Sequence, residues 1–224
     1  MSLFKLIIGN RAYSSWSMRG WLTCKQCGEE FEELVVPMFD DAWEKRREGD
    51  EFAPSLGKVP ILWDGDIVVW DSLAIIEFLS DRYGDALYWP EDEGARAVAR
   101  SMAAEMHSGF ANLRRELPMN VRKSFPPAKL SESVREEIDR ILQLWAQARA
   151  RFGGTGDYLF GEWCAADIMY APVVTRFITY GVAVPSFAGV YMKAVLSHPD
   201  VAEWIDKAQD EPWVIDAYEV GKAA

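Results

Sequence analysis

Residues 56–72, Leu56-Gly57-Lys58-Val59-Pro60-Ile61-Leu62-Trp63-Asp64-Gly65-Asp66-Ile67-Val68-Val69-Trp70-Asp71-Ser72, decide the fold. Two short apolar runs, Ile61 to Trp63 and Ile67 to Trp70, flank the turn residues Asp64-Gly65, which is the pattern of a β-hairpin. Asp71-Ser72 then opens a helix, because Leu73, Ile76, Leu79 and Tyr83 recur at helical spacing and Asp or Ser is a preferred N-cap. The segment is therefore a ββα unit, entered through a Val-Pro bond.

Working outward toward the N-terminus, Leu3 to Gly9 reads as a strand, and Asn10 to Ser15 as a polar loop. A helix follows through Met18, Trp21, Leu22 and Lys25 and closes at Gly28. Phe31 to Val36 is a second strand, ended by Pro37, so the first half opens as βαβ with a parallel pair. The charged stretch Asp40 to Glu51 has room for a short irregular helix. Toward the C-terminus, Gly84 to Glu91 carries Gly84 and Pro90 and no periodicity, and marks a boundary. Beyond it the pattern is helical almost to the end. Met102, Met106, Phe110, Leu113 and Leu117 form one stripe, and Val134, Ile138, Ile141, Leu142, Trp145 and Phe152 another, with Ser133 and Glu136 as a capping box for the second. The expected organisation is an α/β domain over 1–83, a linker at about 84–91 and an all-α domain over 92–224.

A chain of 224 residues, half of them hydrophobic and 26% charged, has the composition of a folded globular protein. A net charge of -11 repels nucleic-acid phosphates and anionic membrane faces, so an anionic ligand has to be held by a local pocket. The apolar stretch at Leu3 to Gly9 is interrupted by Lys5 and is too short for a signal-peptide core or a membrane span, which predicts a cytoplasmic protein. Three cysteines do not make a disulfide framework.

The chemistry is expected where strands meet helices. The loop Tyr13-Ser14-Ser15-Trp16-Ser17 lies at a helix N-terminus, which offers free N–H groups and partial positive charge. A hydroxyl there that donates to a bound sulfur anion lowers the thiol pKa. A fall of about two units from about 8.5 raises the thiolate fraction at pH 7 from about 3% to about three quarters. Ser14, Ser15 and Ser17 serve equally well as helix caps, and the sequence leaves Ser14 and Ser15 open as the catalytic hydroxyl. Before a strand, Val59-Pro60 is a place where a cis proline exposes the Val59 backbone to pair with an extended peptide, with Lys58 adjacent. At the head of the next helix, Ser72 and its N–H groups suit a carboxylate while Asp71 suits an ammonium group, which together describe an α-amino acid end.

These features together resemble the cytosolic glutathione transferases: a βαβ-ββα order, the loop Ser14-Ser15-Trp16-Ser17-Met18-Arg19, Val59-Pro60 before the third strand and Asp71-Ser72 before the third helix. The all-helical second half extends the resemblance over essentially the whole chain, and the loop looks most like the serine-type zeta and theta classes and their bacterial relatives. The resemblance implies a thioredoxin-like N-terminal domain, a helical-bundle C-terminal domain, a cis Val59-Pro60 bond, and glutathione as co-substrate held by Ser14, Ser15, Lys58, Val59, Pro60, Asp71 and Ser72. It implies a homodimer whose reaction is attack of the glutathione thiolate on a small electrophile, as in detoxification. Isomerisation of the maleylacetoacetate kind is the alternative reaction, although Trp16 stands where the zeta loop carries a cysteine; dehalogenation and a non-catalytic binding or regulatory role are the other readings. The family's buried cap in the second domain, Ser or Thr, two further residues and then Asp, corresponds to Cys164-Ala165-Ala166-Asp167, with cysteine in the cap position.

Family architecture also sets the helix around Met106 over the sulfur. Trp16, Met106, His107 and Phe110 are therefore the candidate substrate-binding residues, with Met119 as a further apolar wall and His107 or an arginine available to meet an acidic co-substrate. Cys24-Lys25-Gln26-Cys27 lies at the far end of the first helix, where the dipole opposes a thiolate, so a redox role is discounted. With only His107 and His198 as histidines and no second cysteine cluster, no metal is expected.

Overall fold

The computed structural model describes residues 4–126 and 129–220. Strand β1 (Phe4–Ile8) leads through the 9–14 loop into helix α1 (Ser15–Gln26), and β2 (Phe31–Val35) returns beside β1 in parallel, pairing Phe4 with Phe31 and Ile8 with Val35. Leu3, expected as the first strand residue, lies outside the described residues. After the short α2 (Trp43–Arg47), β3 (Ile61–Asp64) and β4 (Ile67–Trp70) form the hairpin, and α3 (Ser72–Tyr83) follows at once. The sheet order is β2-β1-β3-β4, with β3 antiparallel to both neighbours. The α/β architecture read from the sequence is thus present.

Alternation within β1 explains why the sheet is covered on both faces. Leu6 and Ile8 pack against Met18, Trp21 and Leu22 of α1 and Ile75, Ile76 and Leu79 of α3. Ile7 points the other way, into a smaller cluster with Val36, Trp43, Phe52 and Ile61. Gly20 permits the close approach of α1 to Pro60, since a Cβ there would lie 2.7 Å from the Pro60 ring.

Residues 84–91 are not a bare linker. Gly84, at φ 104°, turns the chain into the four-residue helix α4 (Asp85–Tyr88), and Tyr88 and Trp89 are buried in the main core. The helical region then comprises α5 (Glu93–Ser108), α6 (Ala111–Glu116), α7 (Glu132–Phe152), α8 (Ala165–Thr179), α9 (Ser186–Ser197) and α10 (Pro199–Gln209). The stripe from Met102 to Leu117 is broken at Gly109-Phe110, where Phe110 takes φ 57°. The break is stabilised from a distance: the Glu137 carboxylate of α7 accepts from the N–H groups of Asn112 (3.2 Å) and Leu113 (2.6 Å) and so caps α6. Helix α7 starts two residues before the expected capping box. Ser131 is its N-cap, accepting from Val134 N–H, because its hydroxyl is also drawn to Glu116 (2.8 Å).

Helix α8 is the axis of this region, with every residue buried except Ile178. Asp167 accepts from the N–H groups of Cys164 (3.0 Å) and Leu159 (3.2 Å), so the Asp half of the cap operates although cysteine occupies the cap position. Among the described residues no helix is long and apolar enough to cross a membrane.

Candidate functional site

A cavity of about 840 Å³ opens where the C-terminal edge of β1, the N-termini of α1 and α3, and the helical region meet. Of the residues anticipated from the sequence, Ser14, Ser15, Trp16, Lys58, Val59, Pro60, Asp71, Ser72 and His107 all line it. Met106 and Phe110 do not: both are buried in the core. The physical reason is the turn at Gly109-Phe110, which ends α5 and leaves the apolar stripe of that helix facing its neighbours. The apolar wall on that side is made by Pro118 and Met119.

The two adjacent serines are held differently. Ser14 is the N-cap of α1; its Oγ accepts from Ser17 N–H (3.2 Å) and its hydroxyl donates to Ser17 Oγ (2.8 Å), which itself accepts from Gly9 N–H (2.9 Å). Ser15 Oγ accepts from the guanidinium Nη2 of Arg176 (3.2 Å), an arrangement that leaves its own proton available to a ligand. Both side chains are almost completely buried.

On the facing edge, the Val59-Pro60 peptide is cis. Among the described residues neither the N–H nor the C=O of Val59 has a hydrogen-bond partner. Asp71 caps α3, accepting from Leu73 N–H (2.9 Å) and Ala74 N–H (3.4 Å). Its backbone sits at φ 77°, ψ 131°, a region that costs a non-glycine residue about 1–3 kcal/mol and here turns Ser72 inward. Ser72 is 1% exposed, yet its hydroxyl has no partner among the described residues. A buried hydroxyl without a partner costs about 1–3 kcal/mol, and a ligand that bonds it recovers that loss. Asp71 Oδ2 lies 2.7 Å from His107 Nε2, so the histidine is engaged with a group on the opposite wall.

Sequence reading missed an arginine cluster. Arg176 projects from α8, donates to Leu117 C=O (3.0 Å) and Pro172 C=O (3.2 Å), and lines the cavity. Arg114 lines it from α6, donating to Met106 C=O (3.1 Å) with its guanidinium 5.3 Å from the Trp16 ring. Arg19 lies behind, wholly buried, with its guanidinium 4.7 Å from the same ring; its Nε donates to Met169 C=O (2.9 Å), and among the described residues neither terminal nitrogen has a hydrogen-bond partner. Burial lowers the pKa of all three, to about 10 for Arg176, and the charge of Arg114 depresses both Arg176 and Arg19 further. The sequence places Arg19 in the loop and offers an arginine after the helix around Met106 to meet an acidic co-substrate without fixing which one; Arg176 reaches the site only through tertiary packing.

The loop that carries Tyr13 to Ser15 is clasped from the helical region. Arg122 donates to Tyr13 Oη (2.7 Å), which donates to Glu219 (2.6 Å), and Glu211 accepts from the N–H groups of Arg11 (2.9 Å) and Ala12 (3.3 Å). Tyr218 follows this clasp into the cavity wall. Away from the site, burial pushes the Cys24 thiol well up and the Cys27 thiol up, the opposite of an activated pair. Among the described residues no group of three or more His, Cys, Asp or Glu side chains is arranged for a metal ion.

Comparison with known proteins converges on one family. Residues 13–82 match the sequence profile of the glutathione S-transferase N-terminal domain. A dichloromethane dehalogenase of Methylophilus leisingeri is 38% identical over 60 residues, 27% of this chain and 22% of that protein. Glutathione S-transferase Z2 of Arabidopsis thaliana is 28% identical over 124 residues, 53% of each. The chain thus spans between 22% and 53% of the length of these curated relatives. A Burkholderia glutathione transferase homologue, solved with bound glutathione, superposes with a TM-score of 0.71 at 22% identity, over 94% of this chain and 100% of that one, and shares the fold.

Proposed function

We propose that the chain, whose residues 13–82 match the glutathione S-transferase N-terminal domain, is a glutathione transferase that binds glutathione in the cavity, activates its thiol and transfers the sulfur to a small electrophile. The observation that carries the reading is the meeting, in one cavity, of an unbonded Val59 backbone, the unpartnered Ser72 hydroxyl beside Asp71, and Ser15 at the head of α1. The γ-glutamyl carboxylate accepts from Ser72 and its ammonium group meets Asp71; the cysteinyl backbone pairs with Val59 by strand addition. The sulfur then lies at the N-terminus of α1.

Ser15 is our choice for the catalytic hydroxyl, because Ser14 is already committed to capping and to Ser17. With Arg176 donating to Ser15 Oγ, the Ser15 proton is directed toward the thiolate, which gains a hydrogen bond that the thiol lacks. The thiol proton leaves to solvent. The thiolate forms the S–C bond as the bond from carbon to the leaving group breaks, and that group departs with the electron pair. The expected partners are glutathione and a small electrophile, with a second copy of the chain forming a homodimer. In favour of a dimer, Phe39 and Leu56 stand out from the rim, 62% and 77% exposed.

The test is calorimetric titration of glutathione, with thiolate absorbance followed against pH in the same samples. Saturable binding with a lowered thiol pKa is expected. Absence of binding at millimolar glutathione overturns the reading in favour of a non-catalytic relative.

A further inference from the structure

The thiolate mechanism uses Arg176 to orient Ser15 and gives no task to Arg19 or Arg114. Arg11, the other buried arginine, reaches the carboxylates of Glu33 and Glu211, whereas half-buried Arg96, Arg122 and Arg149 bond to carbonyl and hydroxyl oxygens. Arg19, Arg114 and Arg176 form no salt bridge among the described residues; beyond burial, the charge of Arg114 lowers the pKa of Arg176, and both lower that of Arg19. The nearest acidic influences are Glu137 on Arg114 and Asp71 on Arg19. Glu137 is occupied in capping α6 and Asp71 in capping α3 and pairing with His107. In a chain of net charge -11, a local excess of buried positive charge at a cavity wall is a departure from the rest of the molecule.

Hydrogen bonds to carbonyls account for part of the cluster but not all of it. Arg176 uses Leu117 C=O, Pro172 C=O and Ser15; Arg114 uses Met106 C=O; Arg19 keeps both terminal nitrogens unpartnered in a fully buried position. Resting on the glutathione transferase reading, we propose that the second substrate carries a carboxylate or a comparable oxyanion, held by Arg114 and Arg176 beside Ser15 with the Trp16 indole as the apolar surface between them. Arg19 lies behind that indole and adds positive potential without touching the ligand. An oxyanion accepts from planar guanidinium groups and neutralises charge that is otherwise buried and unpaired, so it binds more tightly than its neutral ester. The amino-acid end of glutathione is held at Ser72, a different stretch of the wall, so the cluster is free for the other reactant.

The probes are para-(bromomethyl)benzoate and its methyl ester, which react at the same benzylic carbon by loss of bromide and differ only in remote charge, together with the unreactive para-methylbenzoate. We expect kcat/KM for the acid to exceed that for the ester by about tenfold or more, and the preference to shrink as salt is added. Arg114→Gln is expected to abolish the preference and Arg114→Lys to restore part of it. Calorimetry should detect para-methylbenzoate binding to the wild type, with or without glutathione, and its loss in Arg114→Gln. Equal turnover of acid and ester with no para-methylbenzoate binding, in protein that still binds glutathione and lowers its thiol pKa, overturns the anion site and leaves the thiolate reading standing. An Arg114→Gln protein whose thiol pKa rises while the acid-to-ester ratio is unchanged also overturns it, because the cluster then serves the sulfur alone. Loss of glutathione binding counts against the thiolate reading instead, and the para-methylbenzoate titration still decides the anion site.

Discussion

On the α/β side of the cavity the groups next to the heads of α1 and α3 and the cis bond include a backbone edge and hydroxyls, from Val59, Ser15 and Ser72, with Arg47 and Lys58 further along the wall; on the helical side they include the guanidinium groups of Arg114 and Arg176 and the apolar surface of Met119. That edge and those hydroxyls are oriented by residues next to them in the chain: the cis bond at Val59-Pro60, the cap at Asp71, the start of α1 at Ser15. Each group on the second side is oriented by residues far away. Arg176 meets Ser15 across 161 positions, and Arg114 is aimed by a helix whose N-terminus Glu137 caps from another helix. The comparison separates a backbone and hydroxyl edge encoded locally from an arginine-bearing wall encoded by packing.

Breaking the local side should produce the largest effect. Ser15→Ala is expected to lower turnover by about a hundredfold to a thousandfold, the usual loss for one donor to a reacting anion, and to raise the pKa of bound glutathione. Steady-state rates and thiolate absorbance check it, and a rate that survives Ser15→Ala but collapses in Ser14→Ala reverses the assignment of the pair.

A pH experiment probes the helical side through the cap of α8, the helix that carries Arg176. Burial pushes the Asp167 carboxyl up to about 6, despite two backbone N–H bonds that pull it down. The folded chain therefore holds this proton more tightly than the unfolded chain. The contribution, about 3 kcal/mol, is complete below about pH 4 and lost as pH rises through about 6. Asp167→Asn should be destabilised overall yet lack this downward slope, so its melting temperature relative to wild type improves between about pH 4 and pH 7. A parallel pair of melting curves would refute it. Glu203, lowered by its contacts with Lys207 and Lys25, tilts both proteins the opposite way and cancels in the comparison.

Smaller effects sharpen the division further. Asp71→Asn keeps a competent N-cap but removes the negative charge, so thermal stability should hold while glutathione binds about tenfold more weakly by calorimetry. Gly20→Ala sets a Cβ 2.7 Å from Pro60 and should cost about 1–3 kcal/mol in denaturant unfolding, with the loss appearing at the Val59 edge as weaker glutathione binding. Ser14→Ala should cost about 1 kcal/mol of stability as a lost cap and change turnover less than tenfold.

Legibility follows the same division. The hairpin, α3 and its cap were readable because turn residues, alternation and helical spacing act within a few positions. The start of α7 was misread by two residues, at Ser133 and not Ser131, because both serines are competent caps and only Glu116, brought close by α6, selects one of them. Met106 and Phe110 were expected at the cavity because the resemblance set their helix over the sulfur; the turn at Gly109-Phe110 is followed by α6, whose N-terminus Glu137 caps, and no local pattern connects that residue to it.

By itself the sequence determined the order of strands and helices in the first half, the α/β and all-α division and several of the α/β residues that line the cavity, because periodicity, turns and caps are short-range effects. Tertiary structure alone decided which serine keeps a free proton, which residues form the opposite wall and that three arginines gather there without carboxylates. Those outcomes depend on contacts between residues tens to more than a hundred positions apart, where side-chain burial and charge are set by the packed fold and not by chain neighbours.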